Sequence, residues 1–198
     1  MKKVLCTVLA VVMAVVCFAG CSAPAAEGGN EAGGSAASGD TIKVGLLGPY
    51  TGDLAVYGLA VKNGATLYFD KVNAEGGING KKVRIVEADN KSEPSESGNA
   101  ATKLVTQDKV IAVVGPATSG AVAASEPILT GAKVPLIAPC ATAPEITVGK
   151  DGKTKQFVFR AAFIDPYQGE IMAKFASEDK KFKKVAILHD SSSCLLYT

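Results

Sequence analysis

The sequence has almost no histidine, no basic surplus in its body and no apolar run long enough to cross a membrane. Each shortage removes a class of function. One histidine and five scattered cysteines in 198 residues supply too few ligands at metal-site spacing for a zinc centre. Lysine plus arginine number 21 against 19 for Asp plus Glu, and Lys2 and Lys3 account for the whole excess. The rest of the chain is electrically balanced, so it lacks the basic patch that draws a protein to nucleic acid. The apolar run from Val4 to Ala19 is about 16 residues, short of the roughly 20 needed to span hydrocarbon. What is present is a globular composition, 47% hydrophobic and 20% charged. That is enough apolar material for one packed domain, or one domain and part of another.

Residues 1–20, MKKVLCTVLAVVMAVVCFAG, set two lysines before the apolar run and small residues after it. No charged stop-transfer flank follows, and the layout reads as a secretory signal. The ending FAGC resembles the bacterial lipobox, with Phe18 where a leucine-like residue is usual. The resemblance implies that Cys21 is lipidated and becomes the mature N-terminus. Several acyl chains there anchor a protein firmly, whereas one does so only marginally. Residues 22–39, SAPAAEGGNEAGGSAASG, have no hydrophobic period. With Cys21 and Asp40 they read as a flexible tether spanning roughly 25 Å. Cys6 and Cys17 depart with the signal, leaving Cys140 and Cys194.

From residue 41 onward, short apolar strands alternate with helical stripes. Strands are expected at 41–47, 82–88, 110–114, 134–138, 156–160 and 184–188. Helices are expected at 57–74, with Val61, Ala65, Tyr68 and Val72 inward; at 94–108, with Leu104 and Val105 inward; at 120–130; and at 165–179, with Tyr167, Ile171 and Phe175 in one stripe. Such alternation predicts an α/β fold, a doubly wound parallel sheet covered on both faces, with ligands bound outside the carboxyl ends of the strands. Three loops rich in Gly, Pro and hydroxyl groups lie at that edge: 48–52 (GPYTG), 115–120 (GPATSG) and 138–144 (APCATAP). Because helix N-termini present N–H groups and a positive dipole end, the second and third loops predict a site for an anion or carboxylate, topped by the first.

The motifs of catalysis fail on spacing. Residues 45–52 (GLLGPYTG) lack the dinucleotide fingerprint, and Thr147 stands where a phosphate loop ending at Gly152-Lys153-Thr154 requires glycine. Ser119 has neither flanking glycine of a nucleophile elbow. His189, past the last expected strand, has no second ligand or base nearby and reads as a structural or pocket-rim residue. No catalytic residue, cofactor or metal is therefore expected.

The segments IKVGLLGPYTG, VNAEGGINGKKV, VVGPATSG, APCATAPEIT and FRAAFIDPYQG, in this order and spacing, resemble the periplasmic substrate-binding proteins of branched-chain amino acid ABC transporters. The resemblance covers about residues 41–190. It implies the type I fold of that class: two similar lobes joined by a hinge, closing on an amino acid that is passed to ABC permease and ATPase subunits in the membrane. It implies an extracytoplasmic place, and no reaction. Carried onto this chain, it makes Ser119 the hydroxyl that binds the ligand α-carboxylate. Cys140 becomes the small residue whose carbonyl faces the ligand ammonium, followed by Ala141. Thr142 becomes the threonine touching both groups, and Tyr57 an aromatic near the ligand side chain. Asp165 and Gln168 also match but read as helix-start and hinge residues. The same class takes amides, urea-like molecules and aromatic acids, and the same fold serves ligand-sensing receptor domains, so these ligands and that role remain alternatives.

On this reading residues 41–160 form the first lobe and 161–193 the start of a second, incomplete one. Residues 194–198 (CLLYT) are expected to be non-native, because the codons TGT CTC TTA TAC ACA, a string found in a transposase-based sequencing adapter, encode them. The nucleotide sequence tests this.

Overall fold

The computed structural model describes residues 41–187. The expected signal, Cys21 and the expected tether, like His189, Cys194 and the expected non-native residues 194–198, lie outside the described residues. The first strand, β1 (Ile42–Gly48), has Leu46 and Leu47 each 1% exposed. Consecutive strand side chains point to opposite faces, so both faces of β1 are covered. It is the hub of a five-stranded sheet in the order β2-β1-β3-β4-β5. The partners are β2 (Val83–Asp89), β3 (Ala112–Val114), β4 (Leu136–Ala138) and β5 (Val158–Arg160), and every pairing is parallel.

Parallel neighbours require crossovers, which helices supply as far as β4, while a loop with one 3-10 turn (Pro144–Ile146) leads from β4 to β5. The helices are α1 (Ala55–Ala74), α2 (Pro94–Lys103) and α3 (Ser119–Gly131). A π-helical turn, Leu104–Asp108, prolongs α2 and closes on Lys109 at φ 58°. The main core lies between the sheet and the α2–α3 pair. Leu47, Ala101, Leu104, Val113, Val122 and Leu129 meet there. An apolar cluster of this kind is the principal term holding such a fold, at about 1.5–3 kcal/mol per buried Leu or Val side chain.

Three expectations need correction. The inward stripe of α1 runs through Val61, Ala65, Phe69 and Val72, each partly buried, while Tyr68 is 63% exposed. A turn of 3.6 residues carries the stripe from Ala65 onto Phe69 before it reaches Val72. The sheet is not covered on both faces throughout. Among the described residues, Ile137 on β4 and Phe159 on β5 are 39% and 53% exposed, because α1 packs chiefly on β1 and β2. The strand expected at 184–188 is absent over residues 184–187, which pair with no neighbour among the described residues, and Leu188 lies outside them.

The last helix, α4 (Asp165–Lys174), runs into a second π-helical turn, Phe175–Asp179. Its stripe is unburied: Tyr167, Ile171 and Phe175 are 57%, 45% and 43% exposed. Helices shorter than about 12–15 residues are marginal in water without tertiary packing. In this chain, amides 168–187 are therefore expected to exchange with deuterium close to the unfolded rate while β1 and β3 stay protected. Strong protection of α4 would mean that it finds a partner.

Candidate functional site

The strand order reverses at β1. The chain leaves it for β2 on one side, and β3, β4 and β5 extend from the other. Ligand crevices of open α/β sheets form at such a point, outside the carboxyl ends. The three loops noted in the sequence follow β1, β3 and β4.

The loop after β1 is occupied by its own protein. The Asp89 carboxylate, at the end of β2, accepts hydrogen bonds from the N–H groups of Tyr50 (2.9 Å), Thr51 (3.4 Å) and Lys91 (2.8 Å) and from the Thr51 hydroxyl (2.6 Å). Ser92 Oγ donates to the Thr51 carbonyl at 2.8 Å and accepts the Leu54 N–H at 3.0 Å. The neighbouring Asn90 donates to Ser97 Oγ at 2.8 Å, fastening the end of β2 to α2. Instead of capping an anion with open amides, the first loop is clamped to β2. Burial alone raises the Asp89 pKa, but the Thr51 hydroxyl and the three N–H groups outweigh it and hold the carboxyl below its usual range. Burial, with the charges of Glu87 and Asp89, pushes the Tyr50 phenol up and keeps it neutral.

A pH prediction follows. A carboxylate whose pKa is depressed by folding contributes stability above its unfolded pKa, about 3.9, and loses it as pH falls through the lower folded value. Asp89→Ala is expected to lower urea midpoints by a constant amount from pH 7 to about 5. Its deficit should shrink below about pH 4, where the parent loses the same contribution. A deficit independent of pH would mean that the clamp does not use the charge.

The second loop leaves β3 through Gly115, at φ 106°. A Cβ there would lie 1.9 Å from the Leu47 carbonyl oxygen, so only glycine fits. The turn delivers the chain to α3, whose N-terminus no side chain caps. The first intrahelical bond runs from Val122 N–H to the Thr118 carbonyl at 3.0 Å. The amides before it point out of the helix end, where the dipole favours negative charge. Ser119, the first residue of α3, is 3% exposed. Its Oγ accepts the Ala143 N–H at 3.3 Å, which ties the second loop to the third. Because Ser119 accepts in that bond, its hydroxyl proton is left to donate.

The third loop is braced from β5 and α4. Arg160 donates to the Ala143 carbonyl at 2.6 Å and to Thr147 Oγ1 at 3.0 Å. Ala161 N–H bonds the Ala138 carbonyl at 3.0 Å, and Asp165 N–H the Thr142 carbonyl at 3.2 Å. Ala141 is 1% exposed and Thr142 is half-buried. Cys140 is a free, exposed cysteine, and partial burial pushes its thiol pKa up, away from nucleophilic reactivity. Among the described residues, the Thr142 hydroxyl makes no hydrogen bond.

Ser119, Cys140, Ala141 and Thr142 therefore stand together across one bridged pair of loops. Tyr57 does not join them by any bond. It lies in the first turn of α1, 56% exposed, its N–H bonded to the Leu54 carbonyl. Sequence reasoning missed Asp89 and Arg160, which hold the loops, and read Asp165 as helix-start structure. Asp89 and Arg160 each end a strand at the carboxyl edge of the sheet, and that position was the available signal.

Residues 41–194 match the family described as periplasmic binding protein. The Leu/Ile/Val-binding protein BraC3 of Rhizobium johnstonii is 41% identical over 152 residues, 77% of this chain and 40% of that one. The branched-chain amino acid transporter substrate binding protein of Streptococcus pneumoniae, solved in complex with isoleucine, superposes with a TM-score of 0.66. It is 47% identical, and the match covers 72% of this chain and 39% of that one. A solute binding protein of an ABC transporter from Rhodopseudomonas palustris, in complex with 3,4-dihydroxybenzoic acid, gives a TM-score of 0.63. Its identity is 29%, over 70% of this chain and 36% of that one. The chain thus spans about two fifths of the length of the curated relatives it matches.

Proposed function

This chain belongs to the periplasmic binding protein family, and we propose that it contributes the first lobe of an extracytoplasmic solute-binding protein of an ABC importer. The ligand is a branched-chain or related amino acid, held between two lobes and delivered to the membrane permease. The observation that carries this reading is the joining of Ser119 to the third loop at the uncapped N-terminus of α3. An α-carboxylate there meets helix amides, the Ser119 hydroxyl and the Thr142 hydroxyl, while the Cys140 carbonyl faces an ammonium. Charge-assisted bonds of this kind are roughly twice as strong as neutral ones. Ala141 is buried within the loop, and Tyr57, exposed in the first turn of α1, is assigned to the ligand side chain.

Closure is a hinge motion, favoured to the extent that ligand contacts differ between open and closed states. The division of the chain at about residue 160 into a first lobe and the start of a second belongs to this reading. So do anchorage through a lipidated Cys21 and removal of residues 1–20. No chemical step is part of it.

The benzoate-bound relative supports a second reading, in which the ligand is an aromatic acid carrying a carboxylate and no ammonium. Calorimetric titration of the protein expressed from its complete gene, without signal and tether, separates the two. Micromolar or tighter binding of leucine, isoleucine or valine supports the first reading. Binding of hydroxybenzoates and of no amino acid supports the second.

A further inference from the structure

Helix α1 is apolar on two sides, and the sheet takes only one. Val61, Ala65, Phe69 and Val72 turn inward. Away from the sheet, Val56 and Leu67 are 70% and 75% exposed, flanked by Tyr57 and Tyr68, each more than half exposed. Val56 and Leu67 lie about three turns apart, hence on one line along the helix. Between them stand exposed Ala60 and Gly64. Single exposed apolar side chains are ordinary, but a continuous row of them marks a contact surface.

The charges at the ends of the row say what it meets. Asp53, exposed in the turn that leads into α1, has no ion-pair partner among the described residues. Lys71, in the last turn, stands 4.0 Å from Glu75, both well exposed, and a pair so open to water is worth little. Asp53 and Lys71 are about five turns apart, so they too share one line. A row that begins with an acid and ends with a lysine is complementary to itself once reversed. Two α1 helices related by a two-fold axis run antiparallel, and every contact occurs twice. Setting Asp53 against a second copy's Lys71 brings Val56 to its Tyr68, Tyr57 to its Leu67 and Ala60 to its Gly64. The larger side chains then flank a crossing made by the two smallest, where helix axes approach closely. A membrane surface fits less well. Interfacial helices carry an excess of Lys and Arg on their polar face, whereas here Asp70 and Glu75 stand beside Lys71.

We propose that the outward face of α1 joins two copies of the protein in a weak, antiparallel homodimer. The inference is independent of which ligand the crevice takes. The helix is about 30 Å long, and a face about 10 Å wide on it covers about 300 Å² per copy. That is well under the roughly 800 Å² per partner of a stable complex, so the association is reversible and shows at high concentration. α1 runs back against the strands, which puts its first turn at their carboxyl edge. An antiparallel pair sets the two carboxyl edges at opposite ends and leaves both crevices open. The rival role for Asp53 and Lys71 is to complement the dipole of their own helix.

Sedimentation equilibrium at low salt, on the protein from its complete gene, tests this. The mass is expected to rise from one copy toward two between about 10 μM and 1 mM. A mass of one copy throughout would overturn the proposal, and that result needs no variant. Leu67→Glu is expected to hold the mass at one copy. Asp53→Lys and Lys71→Glu should each weaken the dimer by about 5–30-fold, because two attractive pairs become repulsive. Combined in one chain, the two reversals restore opposite charges across the pair while opposing the dipole within each helix. The double variant is therefore expected to dimerise within about threefold of the parent. A dimer that survives Leu67→Glu forms through another surface, and one that the double variant fails to restore is not paired in this register. Either result overturns the proposal. All three positions are exposed, and circular dichroism of each variant checks that α1 remains folded.

Discussion

Gly58→Ala and Gly64→Ala, the same substitution at two positions of α1, are expected to shift stability in opposite directions. A Cβ on Gly58 would lie 2.0 Å from the Pro49 carbonyl oxygen and 2.6 Å from its carbon. Both are backbone atoms of the first loop, so neither can swing aside as a side chain would. The Asp89 clamp holds that loop from its far side, through Tyr50 and Thr51. The helix must lift or the clamp must break, a loss of about 3 kcal/mol or more. Around Gly64 nothing lies within 4 Å of an added Cβ. There alanine only removes the entropy cost of a helical glycine, a gain of roughly 0.5–1 kcal/mol. Urea denaturation of the two variants beside the parent reads both signs. If Gly58→Ala also stabilises, α1 does not rest on the first loop.

The contrast between those glycines marks where sequence reading stops. Periodicity locates α1, because apolar residues recur at helical spacing whichever way the helix faces. It cannot tell Tyr68 from Phe69, since both are aromatic and one position moves a side chain by about 100° around the axis. The sheet is legible for a similar reason. Short apolar strands separated by helices admit one broad architecture, and the chirality of crossovers removes most alternatives. Cover on both faces is not legible, because Ile137 and Phe159 look the same in sequence whether or not an element packs on them. The strand expected at 184–188 fails on the same ground: strand propensity at Val185 and Ile187 needs a paired neighbour.

At the candidate site, the residues with distinctive neighbours stand out in the sequence and the residues that brace their loops do not. Ser119 and Thr142 stand out because Gly, Pro and hydroxyl residues cluster around helix starts. Asp89, Arg160 and Asp165 look like ordinary charges. Their meaning comes from contacts 13 to 39 positions away along the chain, or, for Asp165, from a buried carboxylate oxygen that accepts no hydrogen bond. A buried acid is informative because it is unusual, and burial is not written in the residue type.

Ser119→Ala and Thr142→Val are expected to divide binding from folding, and the division tests the proposed site most directly. The Ser119 Oγ does two things: it accepts the buried Ala143 N–H, and it is left with a proton to donate. Its removal leaves that amide without an acceptor, at about 1–3 kcal/mol in stability. It also takes one donor from the ligand carboxylate, weakening leucine by about 10–100-fold. Thr142 differs. Its hydroxyl makes no bond among the described residues, and valine matches its shape. Thr142→Val should stay within about 0.5 kcal/mol of the parent in stability and still lose about tenfold in leucine affinity. Denaturation and calorimetry on the two single variants and the double variant complete a cycle. If both hydroxyls address the same carboxylate, their effects on leucine will not add, because each loss changes how the remaining donor is used. Strict additivity would place them on separate parts of the ligand. A Thr142→Val variant with unchanged affinity would take Thr142 out of the site and leave the carboxylate to Ser119 and the open amides of α3.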